Sequence, residues 1–118
     1  MDSFTAMDAL SALAQPTRLE VFRLLVRHEP DGLPAGEIAR RLGVPHNTLS
    51  NHLAILSRAG LASAARHSRS LIYRAHLQGL HQMVLFLLRD CCNGRPELCA
   101  PLIEDLSTCC AGTGAACA

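Results

Sequence analysis

A mainly α (α+β) chain with one short β-hairpin is the fold class this sequence predicts, and three observations predict it. Apolar residues recur at intervals of three and four along most of the chain, the repeat of an amphipathic helix. Two such runs are separated only by Gly43-Val44-Pro45, the length of a helix-turn-helix connection. Strand-like character is confined to residues 61–75, where two short runs flank His67-Ser68-Arg69. A chain of 118 residues has room for one domain, and one this short gains from oligomerisation.

Each element follows in order. Thr5–Ala14 predicts a first helix, broken at Gln15-Pro16. Pro16 suits the first turn of the next helix, which runs to about His28, with Leu19, Phe22, Leu25 and Val26 as its buried face. Pro30-Asp31-Gly32 is a turn. A short helix follows over Pro34–Leu42, then one over His46–Ala59 closed by Gly60. In the latter, Leu49, Leu53 and Leu56 share one face; Asn47, Asn51 and Arg58 fall opposite, with Ser50 at the edge. Leu61–Arg66 and Ser70–Ala75 form the hairpin, and Leu77–Cys92 a long helix with Leu80, Val84, Leu87 and Cys91 as its stripe. Met83–Leu88 is apolar all round, so a homodimer through the terminal helices is expected to cover it. Residues 1–106 are read as the domain and 107–118 as a flexible tail. This succession of elements is that of a winged helix-turn-helix.

Composition excludes several functions. Aromatics are only 3% of the chain, too few for binding single strands by base stacking. No apolar run approaches the roughly 20 residues that span a bilayer, and the acidic N-terminus does not resemble a secretory signal. A cytoplasmic protein with no membrane partner is expected. No segment supplies a nucleophile with its base or a phosphate loop, so an enzyme is not expected. The net charge of +1 conceals a segregation. Pro34–Ala75 holds Arg40, Arg41, Arg58, Arg66, Arg69 and Arg74 against Glu37 alone, a balance of +5, while the other five Arg and nine acids sum to −4. A local basic block suits a phosphate backbone, although a solvated face has the same composition. All six cysteines, Cys91, Cys92, Cys99, Cys109, Cys110 and Cys117, fall in the last 28 residues. A secreted disulfide scaffold would staple the whole chain; clustered thiols in a reducing compartment point to metal binding or redox chemistry.

The segments ALAQPTRLEVFRLL, EIARRLGV and LSNHLAILSRAGL, with Arg66 and Tyr73 separated by six intervening residues, occur in order over roughly residues 9–75. Together they resemble the ArsR/SmtB family of metal-responsive repressors. The resemblance implies a duplex operator of inverted-repeat form and a recognition helix in the major groove. Asn47, Thr48, Ser50 and Asn51 are then the groove-facing polar groups. Arg66, Arg69 and Arg74 supply cations beside the backbone, with Arg58 farther along the helix, and His52 serves packing or a phosphate contact. Where many members carry glycine before the wing-tip cation, this chain has Ser68-Arg69.

The helix before the recognition helix has no cysteine, which removes one known arsenic site of the family. His76 and His81 do not complete its zinc pattern. What remains, CCNGRPELC, resembles members that sense arsenic at the end of the last helix. Trivalent arsenic takes three thiolates in a pyramid, and Cys91, Cys92 and Cys99 supply three sulfurs within nine residues; zinc wants a fourth ligand. The expected effector is As(III), with Sb(III) or a methylated trivalent arsenical as variants. Cys109, Cys110 and Cys117 repeat the spacing as a candidate accessory set or a dispensable tail. The alternatives are a repressor that responds by thiol oxidation, or one that answers another soft metal.

Overall fold

The computed structural model describes residues 1–89 and 95–109. Met1–Phe86 form one compact unit, and a second begins at Leu87.

In the first unit, α1 (Ser3–Leu13) starts where Asp2 Oδ1 accepts the Thr5 N–H at 2.7 Å. That bond also holds the Asp2 carboxyl below its ordinary range. Ala6, Ala9 and Ala12 give α1 a small buried face against α2 and α4, while Phe4, Met7 and Leu10 stay exposed. Helix α2 (Pro16–Arg27) is capped by Gln15, whose Oε1 accepts the Arg18 N–H at 2.7 Å, and Pro16 occupies its first turn as expected. Arg18 Nε donates to Ala12 O at 2.6 Å, satisfying a carbonyl in the last turn of α1.

The buried face of α2 is Val21, Phe22, Leu24 and Leu25. This corrects the expectation for Leu19, which is 43% exposed, and Val26 is only partly buried. At 100° per residue Leu19 lies well round the helix from the centre of that set, so its spacing to Phe22 misled.

The two-residue strand β1 (Leu33–Pro34), not anticipated from the sequence, leads into α3 (Ala35–Leu42). Gly43 then takes a left-handed φ of 65° and returns its N–H to Ala39 O, which turns the chain into α4 (His46–Arg58). Leu49, Leu53 and Leu56 are all buried, as their spacing predicts. With Val21, Leu25, Ile38 and Leu61 they form the centre of the core. Each fully buried leucine contributes about 1.5–3 kcal/mol.

Strands β2 (Ala62–His67) and β3 (Ser70–Ala75) pair antiparallel from Ala62↔Ala75 to His67↔Ser70 and complete a sheet of order β1-β3-β2. The connection is therefore Ser68-Arg69 alone, one residue shorter than expected. Ala62 and Ala75 are buried at the base, and everything from Ser63 to Leu71 is exposed. Ser68 holds a φ of 56°, the conformation that glycine adopts without steric cost. Ser68→Gly is therefore expected to stabilise the unit by about 0.5–1 kcal/mol, raising its melting temperature by a few degrees. A lower melting temperature would mean that the hydroxyl holds the turn.

Helix α5 (Leu77–Leu88) begins against the link between α4 and β2. His76 Nδ1 donates to Gly60 O at 2.9 Å, and a Cβ on Gly79 would lie 2.0 Å from that same oxygen. Met83 is buried, whereas Leu85 is 70% exposed. The expected continuation of this helix to Cys92 lies outside the described residues, as do Cys91 and Cys92 themselves.

In the second unit a 3-10 turn, Pro96–Leu98, leads into α6 (Ala100–Cys109). The expected boundary after residue 106 therefore falls inside a helix, and the tail reading is corrected for Ser107–Cys109. Pro101 is tolerated in the first turn, and Leu102, Ile103 and Leu106 supply helical spacing that the proline and the small residues beyond them disguised. Among the described residues no helix is long and apolar enough to cross a membrane.

Candidate nucleic-acid interface

Asn47, Thr48, Ser50 and Asn51 are all exposed on α4, on the side away from the buried Leu49, Leu53 and Leu56. The helix starts at Pro45 with no side-chain cap, so backbone N–H groups of its first turn are left for an acceptor from outside. Asn47 Oδ1 accepts the Thr48 N–H at 2.9 Å, which steadies the amide near that end. Short polar side chains on the solvent face of the second helix of a helix-turn-helix suit base edges in a major groove.

His52 does not share this surface. It is only 9% exposed, and its Nδ1 is buried with no hydrogen-bond partner among the described residues. Of the two roles open to it from the sequence, packing is the one its burial matches; a phosphate would not meet this ring. Its place one residue before Leu53, at the margin of the leucine face, is the cause.

The basic block resolves into two kinds of arginine. Glu37 accepts from both Arg40 and Arg41; the Arg41 Nε bond is 2.8 Å, and Arg40 binds through Nε and Nη2. These bonds, Arg40's first, hold the Glu37 carboxyl down to about 2, so the cluster stays ionised and paired across the physiological pH range. Arg74 is likewise engaged, donating to Glu29 from Nε at 3.1 Å and Nη2 at 2.8 Å. The sequence placed Arg74 beside the DNA backbone with Arg66 and Arg69; the structure gives its guanidinium an internal partner 45 residues away. Arg58, Arg66 and Arg69 are exposed and make no ion pair among the described residues. Arg66 and Arg69 sit on the projecting half of the hairpin, while Arg58 lies in the last turn of α4, beside a surface pocket shared with Asp8, Ser11 and Arg18.

Sequence reasoning missed Glu29 and His28, which hold Arg74 and Arg41 from the turn after α2. No local signal marks them, since both partners are distant in the chain.

The candidate sensor residues lie elsewhere. Cys99 joins the 3-10 turn to α6 and is disulfide-bonded, and Cys109 ends α6. Cys91, Cys92, Cys110 and Cys117 fall outside the described residues. Among the described residues no group of three or more His, Cys, Asp or Glu is placed to hold a metal ion.

A recognition helix with a polar outer face beside a projecting cationic hairpin matches known proteins closely. A helix-turn-helix domain family model matches residues 13–63. The transcriptional activator HlyU of Vibrio cholerae serotype O1 is 31% identical over 92 residues, covering 78% of this chain and 82% of that protein. Its solved structure superposes with a TM-score of 0.61 over 74% of this chain and 91% of its own. An ArsR-like transcriptional regulator from Rhodococcus sp. RHA1 gives a TM-score of 0.66 at 27% identity, covering 81% and 88% of the two chains. This chain belongs to the ArsR/SmtB family. The family's winged helix-turn-helix accounts for the hairpin as the wing and α4 as the recognition helix. A further member of the fold, the homodimeric DNA-binding domain of Mb0332 from Mycobacterium bovis, superposes with a TM-score of 0.60 at 25% identity, covering 71% of this chain and 76% of its own. As an ArsR/SmtB protein the chain is a DNA-binding transcriptional regulator and not an enzyme.

Proposed function

We propose that this regulator is a cytoplasmic repressor that occupies an inverted-repeat operator as a homodimer and leaves it when trivalent arsenic, or antimony, binds Cys91, Cys92 and Cys99 of each subunit. The observation that carries the reading is the partition of chemistry along the chain: every cysteine lies beyond Phe86, outside the unit that bears α4 and the wing. Soft thiolates select a soft trivalent centre, and three sulfurs within nine residues match its pyramidal preference. The dimer is supported by the apolar residues left exposed, Phe4, Met7 and Leu10 on α1 and Leu85 on α5, and by the homodimeric state of the Mycobacterium bovis relative. Release follows only if the effector binds the DNA-free form of the dimer more tightly than the DNA-bound form.

One observation favours a second reading. Cys99 in its disulfide offers no thiolate. A pair of thiols that gives two electrons and two protons to hydrogen peroxide, forming one disulfide and two waters, would be a redox switch in the same segment.

Operator release by the reduced protein separates the two. Arsenite is expected to release it without oxidant, and Cys91→Ser, Cys92→Ser or Cys99→Ser each to abolish that response while leaving basal DNA binding intact. Replacing Cys109, Cys110 and Cys117 together by serine is expected to preserve it, without the damage to α6 that truncation after Leu106 would cause. Release by peroxide but not by arsenite would establish the redox reading. Loss of the arsenite response in the triple variant alone would move the site to the chain end.

A further inference from the structure

The turn that follows α2 grips two arginines from two different parts of the DNA-reading apparatus. His28 Nδ1 lies 3.0 Å from Leu24 O. A carbonyl only accepts, so Nδ1 carries the proton and Nε2 the lone pair. Arg41, which only donates, meets that Nε2 from Nη1 at 2.9 Å. One residue on, Glu29 receives the two-pronged Arg74 contact, with Glu29's side chain 16% exposed and Arg74's 46%. Arg41 belongs to α3, the first helix of the helix-turn-helix; Arg74 belongs to β3, the returning strand of the wing. The anchoring continues next door, where β1 pairs with β3 at Leu33↔Tyr73.

We propose that His28 and Glu29 form a bracket that sets the position of the wing relative to the helix-turn-helix, and that Arg74 is a positioning residue in that bracket, not a phosphate contact. The proposal rests on DNA binding and is independent of the effector. A two-pronged arginine–carboxylate contact fixes direction as well as distance, and a mostly buried carboxylate has no comparable partner elsewhere if Arg74 swings away. The cations aimed at the backbone, Arg66 and Arg69, are carried on the hairpin whose base this contact secures.

Glu29→Gln separates the bracket from simple electrostatics because the two give opposite signs. Removing an acid near a polyanion strengthens binding on charge grounds. Loss of the bracket weakens binding to the operator while leaving affinity for unrelated duplex unchanged or raised. The expected result, well below the melting temperature, is a roughly five- to tenfold fall in the ratio of operator to non-specific affinity. A merely structural role would lower both affinities together. The salt slope supplies a second arm: Arg69→Ala, which removes one contact from each subunit of the dimer, should flatten it by about two, and Arg74→Met should leave it unchanged. Should either variant fail to fold, the wild-type protein answers alone, since the Arg74 Nε–H resonance should keep its shift and slow exchange when operator is added. Tighter or unaltered operator preference in Glu29→Gln, a flattened slope in Arg74→Met, or an Arg74 resonance that moves on DNA binding would each overturn the proposal.

Discussion

Raising monovalent salt from about 50 to 200 mM should cut operator affinity by about three orders of magnitude. The expectation comes from counting cations that remain available once internal partners are assigned. Arg40, Arg41 and Arg74 are held by Glu37 and Glu29, which leaves Arg66 and Arg69 on the wing and Arg58 on α4. Three contacts per subunit make about six in a dimer, and each neutralised phosphate contributes about −0.9 to the slope of log affinity against log salt. Uncorrected for pairing, the +5 block would predict a steeper dependence. Fluorescence anisotropy with an operator duplex across that range measures it, and a flat profile would defeat the assignment of this surface to DNA.

Gly79→Ala should be a strongly destabilising single-methyl substitution in the first unit. Its Cβ would stand 2.0 Å from Gly60 O, and the obstacle is backbone, which cannot swing aside as a side chain can. The same oxygen already accepts the His76 bond, so moving it sacrifices that contact as well. A cost of about 2–3 kcal/mol is expected, lowering the melting temperature by about 10 °C or more. Gly36→Ala is the control, because there the first atom met is in the His46 ring at 3.6 Å, ordinary contact distance, and alanine favours the helix. Equal melting temperatures for the two variants would show that α5 does not depend on this close approach.

The helix-turn-helix was legible because its evidence is local. Leu49, Leu53 and Leu56 specify a face within thirteen residues of Gly43, and the turn and wing follow from neighbouring residues. What could not be read depends on distance or on phase. The ion pair of Arg74 was hidden because its partner Glu29 is 45 residues earlier, and charge counted along a segment cannot see a pair that closes between distant parts of the chain. Leu19 shares a spacing with Phe22 but not a direction, since the α2 face is centred on Val21 and Leu25. The close approach of Gly79 to Gly60 is invisible in the sequence, where Gly60 marks only a helix end and Gly79 carries no signal. α6 was hidden by Pro101 and by the small residues that follow Leu106.

The Met1–Phe86 unit contains no cysteine at all, and every thiol of the chain lies after it. That arrangement separates two evolutionary problems. If the thiol-bearing segment is the receptor, as proposed, drift there can change which signal is answered without altering the α4 residues, and α4 can shift its operator without rebuilding the receptor. For the same reason the protein is a convenient chassis: a maleimide reporter attaches only beyond Phe86, and on the proposed function a different receptor segment grafted there would retain the promoter address.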